Sequence, residues 1–257
     1  MGAFNFDTSA RSAIGLLRSG NEDSGLVTER LIAVADGMGG HAGGEIASKI
    51  AITTLHSLAP VLTNSTIDSD SIEDLLLHSI HTIDSNISEY VQEANELRGM
   101  GTTLTALLLH DKIVALLHVG DSRCYRLRGN TFEQLSNDHT VIQELLDQGA
   151  ISPVDAIDHP QRSVLTQALM GERNITPVLQ LYEALEGDRY LLCSDGLSGV
   201  LTEKEIKSLL KTRDKDSAIK SLIDATYVNG APDNVTVLIA DVTSSEISTN
   251  LMVGAAQ

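Results

Sequence analysis

The chain has 257 residues, of which 42% are hydrophobic and 21% charged, which is typical of a globular protein that buries a core without disulfide bonds. The formal net charge of −17 disfavours binding to nucleic acid or to an anionic membrane, because both carry the same sign of charge. With two cysteines, no signal-peptide pattern and no apolar run long enough to span a bilayer, we expect a cytoplasmic protein.

Short apolar segments bounded by Gly, Asp or Asn predict six β-strands. They are rich in Val, Ile, Leu and Thr, and hairpin-like joins at His110-Asp111 and Gly129-Asn130 link some of them. In chain order they are Leu31 to Ala35, Thr102 to Leu109, Ile113 to Val119, Arg123 to Leu127, Tyr190 to Ser194 and Val235 to Asp241.

Helical patterns lie between these strands, at Gly44 to Leu58, Ser71 to Leu97, Thr202 to Lys211 and Lys215 to Tyr227. The second of them begins with a capping signature, Ser71 followed by acidic residues in the first turn. Strands in hairpins flanked by long helices favour an α+β fold over a parallel α/β sheet.

We expect one domain over residues 1–242, because the sequence has no repeat and no linker rich in Pro, Gly or Ser. Residues 139–170, which contain two prolines, are predicted to leave the core as a separate excursion. Residues 243–257 are small and polar, a composition that favours a loosely ordered tail.

Four aspartates lie at the ends of predicted strands. Asp36, Asp121 and Asp195 each follow an apolar strand, whereas Asp233 comes just before one. A single aspartate in such a place usually initiates a turn. Because antiparallel neighbours bring strand ends together, all four could meet at one edge, where repulsion between the carboxylates favours a bound cation. Ligation by oxygen alone indicates Mg²⁺ or Mn²⁺ rather than zinc.

The glycine-rich stretch GMGGHA at residues 37–42 also satisfies a dinucleotide-binding pattern. That interpretation is weak, because no Asp or Glu occurs between Glu45 and Asp68, where an acid would bind the ribose. The sequence contains no phosphate-binding Gly-Lys-Ser/Thr and no G-x-S-x-G elbow. Neither cysteine has an arginine six residues further on, which argues against a cysteine-nucleophile phosphatase.

In combination, eight segments resemble the metal-dependent protein serine/threonine phosphatases of type 2C in their bacterial form. The resemblance covers Ser12 to about Asp241 and implies a central β-sandwich flanked by helix pairs. The segments are IGLLRSGNEDS (14–24), VADGMGGHAGGE (34–45), GMGTTLTAL (99–107), HVGDSRCYRLR (118–128), LSNDHT (135–140), HPQRSVLTQALMG (159–171), LLCSDGLSG (191–199) and PDNVTVLIAD (232–241).

The resemblance implies two Mn²⁺ or Mg²⁺ ions, bridged by Asp36, with a possible weaker third. The other implied ligands are the Gly37 carbonyl, Asp195 and Asp233, with Asp121 for the third ion. Residues expected around these ligands are Glu22, Asp23 and Asn234, of which Glu22 and Asp23 would orient metal-bound water. Residues 139–170 would form a mobile flap beside the site.

The implied activity is hydrolysis of phosphoserine and phosphothreonine in proteins by direct attack of a metal-bridging hydroxide, which reverses the action of a serine/threonine kinase. Arg18 would bind the phosphate, although a surface arginine is the plainer interpretation. Met38 stands where animal members carry a histidine, so the general acid stays open between His41 and metal-bound water.

Two further departures from the family are Ala13 and Gly199, each in the place of an aspartate. The second weakens the case for a third metal but leaves the two-metal centre intact.

Two other functions stay open: a catalytically silent relative that binds phosphoproteins, and a metallohydrolase of small phosphoesters. The three retained aspartates, Asp36, Asp195 and Asp233, disfavour the silent relative. We expect phosphorylated proteins and their kinase as partners and, without a coiled-coil pattern, a monomer.

Overall fold

The computed structural model describes residues 4–39, 43–62, 64, 69–157, 159–172 and 175–257. Within them the chain forms twelve strands and seven α-helices. The strands are β1 (Asn5–Ala13), β2 (Asp23–Thr28), β3 (Leu31–Met38), β4 (Gly101–Thr102), β5 (Leu104–His110), β6 (Ile113–Val119), β7 (Arg123–Arg128), β8 (Thr131–Gln134), β9 (Val178–Glu183), β10 (Arg189–Cys193), β11 (Val235–Thr243) and β12 (Asn250–Gly254). The helices are α1 (Gly43–Leu62), α2 (Ser69–Glu93), α3 (Val141–Asp147), α4 (Pro153–Ile157), α5 (Asp195–Ser198), α6 (Glu203–Leu210) and α7 (Lys215–Val228).

The strands form two antiparallel sheets. The five-stranded sheet has the order β1-β11-β10-β7-β8, and the seven-stranded sheet has the order β12-β2-β3-β5-β6-β9, with β4 paired to β3. Every strand pair is antiparallel. The two ends of each sheet therefore carry the beginnings and the ends of alternating strands.

Alternation along β3 shows how the core is divided. Ile32 and Val34 belong to the core between the two sheets, where Phe6 and Tyr190 meet edge to face with ring centroids 6.1 Å apart. Leu31 and Ala33 point the other way, into the core beneath α1 and α2. Because successive side chains of a strand face opposite sides, one continuous apolar run lines two cores.

A third core lies on the outer face of the five-stranded sheet. Ile206 and Leu210 of α6 and Ile219 and Leu222 of α7 pack there against Val237 and its neighbours. Helices therefore cover the outer faces of both sheets, and the molecule has four layers, α-β-β-α. The prediction of an α+β sandwich flanked by helix pairs is confirmed.

The structure also contains strands that the sequence patterns did not predict. The polar segment β1 pairs with β11 over nine residues, from Asn5 opposite Thr243 to Ala13 opposite Val235. The expectation of a loosely ordered tail was wrong for Asn250–Gly254, which pairs with β2 and extends the seven-stranded sheet. Both segments form strands because they hydrogen-bond to a neighbouring strand, and their own amino-acid composition gives little indication of this pairing.

The predicted excursion at residues 139–170 leaves both sheets. Its described part holds the short helices α3 and α4, and Thr140 caps α3 by accepting a hydrogen bond from the Gln143 amide. Helix α2 begins at Ser69, two residues before the predicted cap. Across the described ranges, the helices are all too short or too polar to cross a lipid bilayer.

Candidate active site

The four strand-end aspartates come together at one end of the sandwich. Asp36 and Asp121 come from the seven-stranded sheet, whereas Asp195 and Asp233 come from the five-stranded sheet. They therefore meet across the gap between two sheets, and the expectation of a single sheet edge was wrong in that detail. The carboxylates of Asp195, Asp121 and Asp233 all act electrostatically on Asp36.

Asp36 and Asp195 form the centre of this cluster, and each carboxyl group acts on the pKa of the other. Burial raises the pKa of Asp36 well above its usual value, and the neighbouring carboxylates raise it further. Burial is also the main cause that raises the Asp195 pKa, followed by the charge of Asp233. Like charges held this close disfavour simultaneous ionisation unless a cation is bound among them.

Asp121 lies at the flank of the cluster. Burial raises the pKa of its carboxyl to about 7, with further contributions from Asp195 and Asp138. The charge of Arg123 opposes this shift. Asp121 therefore faces both the central carboxylates and an arginine.

Hydroxyl groups hold the backbone beneath Asp36. The Asp36 amide donates to Thr103 Oγ1 at 3.0 Å, and Thr102 Oγ1 donates to the Asp36 carbonyl at 2.9 Å. The hydroxyls of Thr103 and Ser122 are 2.7 Å apart, which links the strand of Asp36 to the turn of Asp121. The two threonines of the GTT segment thus connect two of the acidic positions.

Asp23 lies directly beside Asp36, because the two residues are partners in the pairing of β2 with β3. Its side chain is buried, and Ser194 Oγ donates to its Oδ2 at 2.7 Å. Burial raises the Asp23 pKa to about 7, although hydrogen bonds from Ser194 and Thr236 oppose the shift. Its Oδ1 is buried without a hydrogen-bond partner and is free to accept one.

Glu22 lies against the start of α1. A Cβ on Gly44 would sit 2.7 Å from Glu22 Oε2, so only glycine leaves room for this carboxylate. Burial is the main cause that raises the Glu22 pKa, and Arg18 opposes it. A Cβ on Gly37 would overlap the carbonyl oxygens of Gly44 and Glu22. The glycines of the VADGMGGHAGGE segment thus allow three backbone segments to meet beside Asp36.

Asn234 joins the loop of residues 14–22 to the start of β11. Its side-chain amide donates to the carbonyls of Ile14 (2.8 Å) and Gly20 (2.9 Å), and its Oδ1 accepts from the Glu22 amide (2.8 Å). The Asn234 side chain is buried, so these three bonds are partly shielded from water. Asn234 therefore fixes the path of the loop that presents Arg18 and Glu22.

Arg18 reaches the acidic cluster, which sets it apart from an ordinary surface arginine. Its guanidinium donates to Asp233 Oδ2 at 2.6 Å while its side chain is 48% exposed. The hydrogen bond to Asp233 is the main cause that raises the Arg18 pKa. Arg18 also lines a cavity of about 190 Å³ with Glu22, Glu45 and Asn234.

Sequence reasoning missed a second arginine at this end of the molecule. Arg123 forms a forked pair with the buried Asp138, with Nε–Oδ1 and Nη2–Oδ2 distances of 3.0 and 2.7 Å. Together with Asp121 and Asp195 they line a cavity of about 390 Å³ that extends under the excursion at residues 139–170. The signal was the arginine two residues after Asp121 and the aspartate in LSNDHT.

The chemistry of this donor set fits hard divalent cations. The candidate side-chain ligands are all carboxylates, without a thiolate or an imidazole, and burial and mutual repulsion raise the pKa values of Asp36 and Asp121. A bound cation would offset both causes. Within the described ranges, no three His, Cys, Asp or Glu side chains are placed so that they could hold a metal ion on their own. An ion here would therefore also draw on carbonyl oxygens and water, as Mg²⁺ and Mn²⁺ do.

Met38 and His41 are the two positions that bear on the general acid. His41 lies outside the described residues, and its predicted role stays a prediction. The end of the Met38 side chain lies near Gly101, since a Cβ there would be 3.3 Å from Met38 Cε. A larger cavity of about 850 Å³, lined by Glu29, Arg30 and others, lies at the β2–β3 turn, the opposite end of β3 from Asp36.

A four-layer sandwich that gathers acidic side chains from both sheets at one end defines the class: an α+β protein with a carboxylate centre suited to divalent cations. The model of the family described as protein phosphatase 2C matches residues 21–235. This chain belongs to the protein phosphatase 2C family, which confirms the resemblance of its motifs.

The chain is also similar in sequence to bacterial proteins that are named serine/threonine phosphatases. The serine/threonine protein phosphatase PstP of Mycobacterium tuberculosis is 43% identical over 236 residues, 91% of this chain. This chain spans only 44% of that relative's length. The serine/threonine phosphatase stp of Listeria welshimeri is 37% identical, over 90% of this chain and 94% of the relative.

Solved structures agree in fold. A crystal structure of the Mycobacterium tuberculosis PstP superposes with a TM-score of 0.86 at 42% identity, covering 92% of this chain and 98% of that one. The PstP catalytic domain in complex with two manganese ions gives a TM-score of 0.85 at 39% identity, over 93% and 99% of the two chains.

Proposed function

We propose that this protein is a metal-dependent phosphatase that hydrolyses phosphoserine and phosphothreonine in proteins. The observation that carries the proposal is the convergence of Asp36, Asp121, Asp195 and Asp233, drawn from two sheets, at one end of the sandwich. The relatives named serine/threonine phosphatase support the same reaction class. The protein would act in the cytoplasm on phosphorylated proteins and so reverse the action of a serine/threonine kinase.

Asp36 would bridge two Mn²⁺ or Mg²⁺ ions, and Asp195, Asp233 and the Gly37 carbonyl would complete their protein ligands. The two manganese ions in the PstP catalytic domain support this number. When bound, two such cations polarise the phosphate and lower the pKa of water between them, which provides hydroxide at neutral pH. Asp121 would serve a weaker third cation.

The surrounding residues would hold this arrangement. Asp23 Oδ1, buried and without a partner, would accept a hydrogen bond from water beside the cations. Glu22 would act in the same way from the side of α1. Thr102 and Thr103 hold the Asp36 backbone in place through the bonds described above.

Arg18 would bind the phosphate of the substrate. In this structure its guanidinium pairs with Asp233. If Asp233 takes up a cation, its charge is compensated there, and the Arg18 fork becomes available to two phosphate oxygens. Arg18 would then stabilise charge that develops on the equatorial oxygens during in-line attack.

The leaving alkoxide needs a proton, and Met38 cannot donate one. His41 or water at the cations would supply the proton. A His41→Gln variant distinguishes them: loss of the basic limb in the pH profile of kcat assigns His41, and an unchanged profile assigns water.

Phosphate release from a phosphothreonine peptide with Mn²⁺, with Mg²⁺ and with EDTA tests the proposal. We expect turnover with Mn²⁺ or Mg²⁺, none with EDTA, and a loss of at least about a hundredfold in Asp36→Asn and Asp195→Asn. The matched control is Asp224→Asn, which removes an exposed carboxylate of α7 that pairs with Lys220. Turnover that survives EDTA and both site substitutions would refute the proposed centre.

The same assay separates the two rival functions. A phosphoprotein-binding relative would bind Mn²⁺ and the peptide without releasing phosphate. A hydrolase of small phosphoesters would turn over para-nitrophenyl phosphate with a kcat/KM above that for the peptide. We expect the peptide to be the better substrate, because Arg18 and the cavities on both sides of the cluster extend beyond a single phosphate.

A further inference from the structure

The C-terminal strand β12 ends beside the buried Asp23. It pairs antiparallel with β2 from Asn250 opposite Thr28 to Gly254 opposite Ser24. The next residue, Ala255, donates its amide hydrogen to the Asp23 carbonyl at 2.8 Å. The backbone after β12 thus satisfies the carbonyl of a residue at the acidic end of the sandwich.

Gly254 makes this contact possible. Its φ of 72° lies in the left-handed region, which a side chain rarely adopts. A Cβ at this position would overlap the Asp23 carbonyl oxygen and lie 3.1 Å from Ser12 Oγ. The backbone at residue 254 therefore packs directly on the peptide group of Asp23, with no space for a larger residue.

The turn from Gly254 to Gln257, which follows β12, packs against the core. Gln257 donates its amide hydrogen to the Gly254 carbonyl at 3.1 Å. Val253 and Ala256 are only 8% and 5% exposed, and Ala256 belongs to the core beneath α1 and α2. The position of the Asp23 carbonyl is thus tied to buried side chains of the last eight residues.

Asp23 is held from its other side as well. It pairs with Asp36 across β2 and β3, and its carboxylate accepts from Ser194, the residue before Asp195. A displacement of the Asp23 backbone would move a carboxylate that is bonded to the residue before Asp195 and that acts electrostatically on Asp36. In the absence of β12, β2 would be the edge of the sheet, and edge backbone is less constrained.

We propose that β12 and the turn Gly254 to Gln257 position Asp23, so that Gly254 and Ala255 are positioning residues of the carboxylate centre. This inference rests on the proposed function, because Asp23 acts there through water at the cations. β12 lies after residues 21–235, the segment that matches the family model.

Gly254→Ala in the full chain tests the proposal, with Gly187→Ala as the matched control. Gly187 has a similar φ of 88° with nothing within 4 Å of its Cβ position, so both variants carry the backbone strain and only one carries the clash. We expect Gly254→Ala to lower kcat on the phosphothreonine peptide about tenfold, with a smaller change in KM, and to weaken Mn²⁺ binding in calorimetry. Gly187→Ala should leave kcat and Mn²⁺ affinity unchanged.

Val253→Ala provides a milder second variant in case Gly254→Ala does not fold. It shortens a buried side chain of β12 without a clash, and we expect a smaller loss of kcat in the same direction. Wild-type kcat and Mn²⁺ affinity in the folded variants would overturn the proposal, even if their melting temperatures fall. If the wild-type protein releases no phosphate, the proposed function fails, and Mn²⁺ affinity alone then decides whether β12 orders the site.

Discussion

The buried side-chain amide of Asn234 bonds at three points to the loop that presents Arg18 and Glu22, and its removal gives a quantitative prediction. Asn234→Ala deletes one bond accepted from the Glu22 amide and two bonds donated to the carbonyls of Ile14 and Gly20. All three backbone groups would lose these partners.

The cost can be estimated from those bonds. A hydrogen bond contributes about 1 kcal/mol net, so three lost bonds lower the free energy of unfolding by about 3 kcal/mol. For a chain of this size that corresponds to a fall in melting temperature of roughly 6–12 °C. Because the loop carries Arg18, we also expect kcat/KM on the phosphothreonine peptide to fall by about tenfold or more.

Thermal unfolding followed by circular dichroism, together with steady-state kinetics, measures both effects. Asn234→Asp is the informative companion variant, because aspartate still accepts from Glu22 but cannot donate to the two carbonyls. Asn229→Ala serves as the control, since it removes one exposed bond to Ala225 at the end of α7. A melting temperature of Asn234→Ala within about 2 °C of the wild-type value would refute the argument that Asn234 holds the loop.

Three further predictions concern the same end of the molecule. Arg18→Lys keeps the charge but loses the forked guanidinium, so KM for the phosphopeptide should rise about tenfold in steady-state kinetics. An unchanged KM would refute the proposal that Arg18 binds the phosphate. Gly196→Ala places a Cβ onto the Asn234 carbonyl oxygen and should lower the free energy of unfolding in urea by about 1–3 kcal/mol. Gly20→Ala is the control, because a Cβ at Gly20 has nothing within 4 Å, and equal effects of the two variants would contradict the clash. Folding raises the Asp121 pKa to about 7, so the folded chain binds more protons than the unfolded chain between about pH 4 and 7. With EDTA present, the free energy of unfolding should therefore fall as the pH rises through this range. An Asp121→Asn variant should show a shallower fall, and a rise in the wild-type protein would refute the shift.

Much of the site could be predicted from the sequence because strand ends and acidic residues coincide in it. Asp36, Asp121 and Asp195 follow apolar runs, and the structure brings them together as the pattern indicated. Arg18 does reach the cluster, where it pairs with Asp233. The roles of the aspartates as metal ligands and of Arg18 as a hydrogen-bond donor to the phosphate remain proposals, which the assays above test.

Other features could not be predicted, because they depend on partners far away in the chain. The pair Arg123–Asp138 joins a strand to the loop before α3. Both residues lie in motif segments of the sequence, but nothing in those segments shows that the two side chains pair. Asn234 was expected near the ligands, but only the packing of the loop at residues 14–22 shows which groups it holds.

The sequence by itself determined the elements with strong local patterns, since side-chain periodicity and turn residues act over a few positions. These include the long buried strands, the α+β class and the motifs that identify the family. Tertiary structure alone decided which sheet each aspartate comes from, that the polar β1 joins a sheet, and that Asn250–Gly254 forms β12 instead of a loose tail. The physical reason is that a polar strand is stabilised by backbone hydrogen bonds to its neighbour, and the identity of that neighbour is a property of the whole fold.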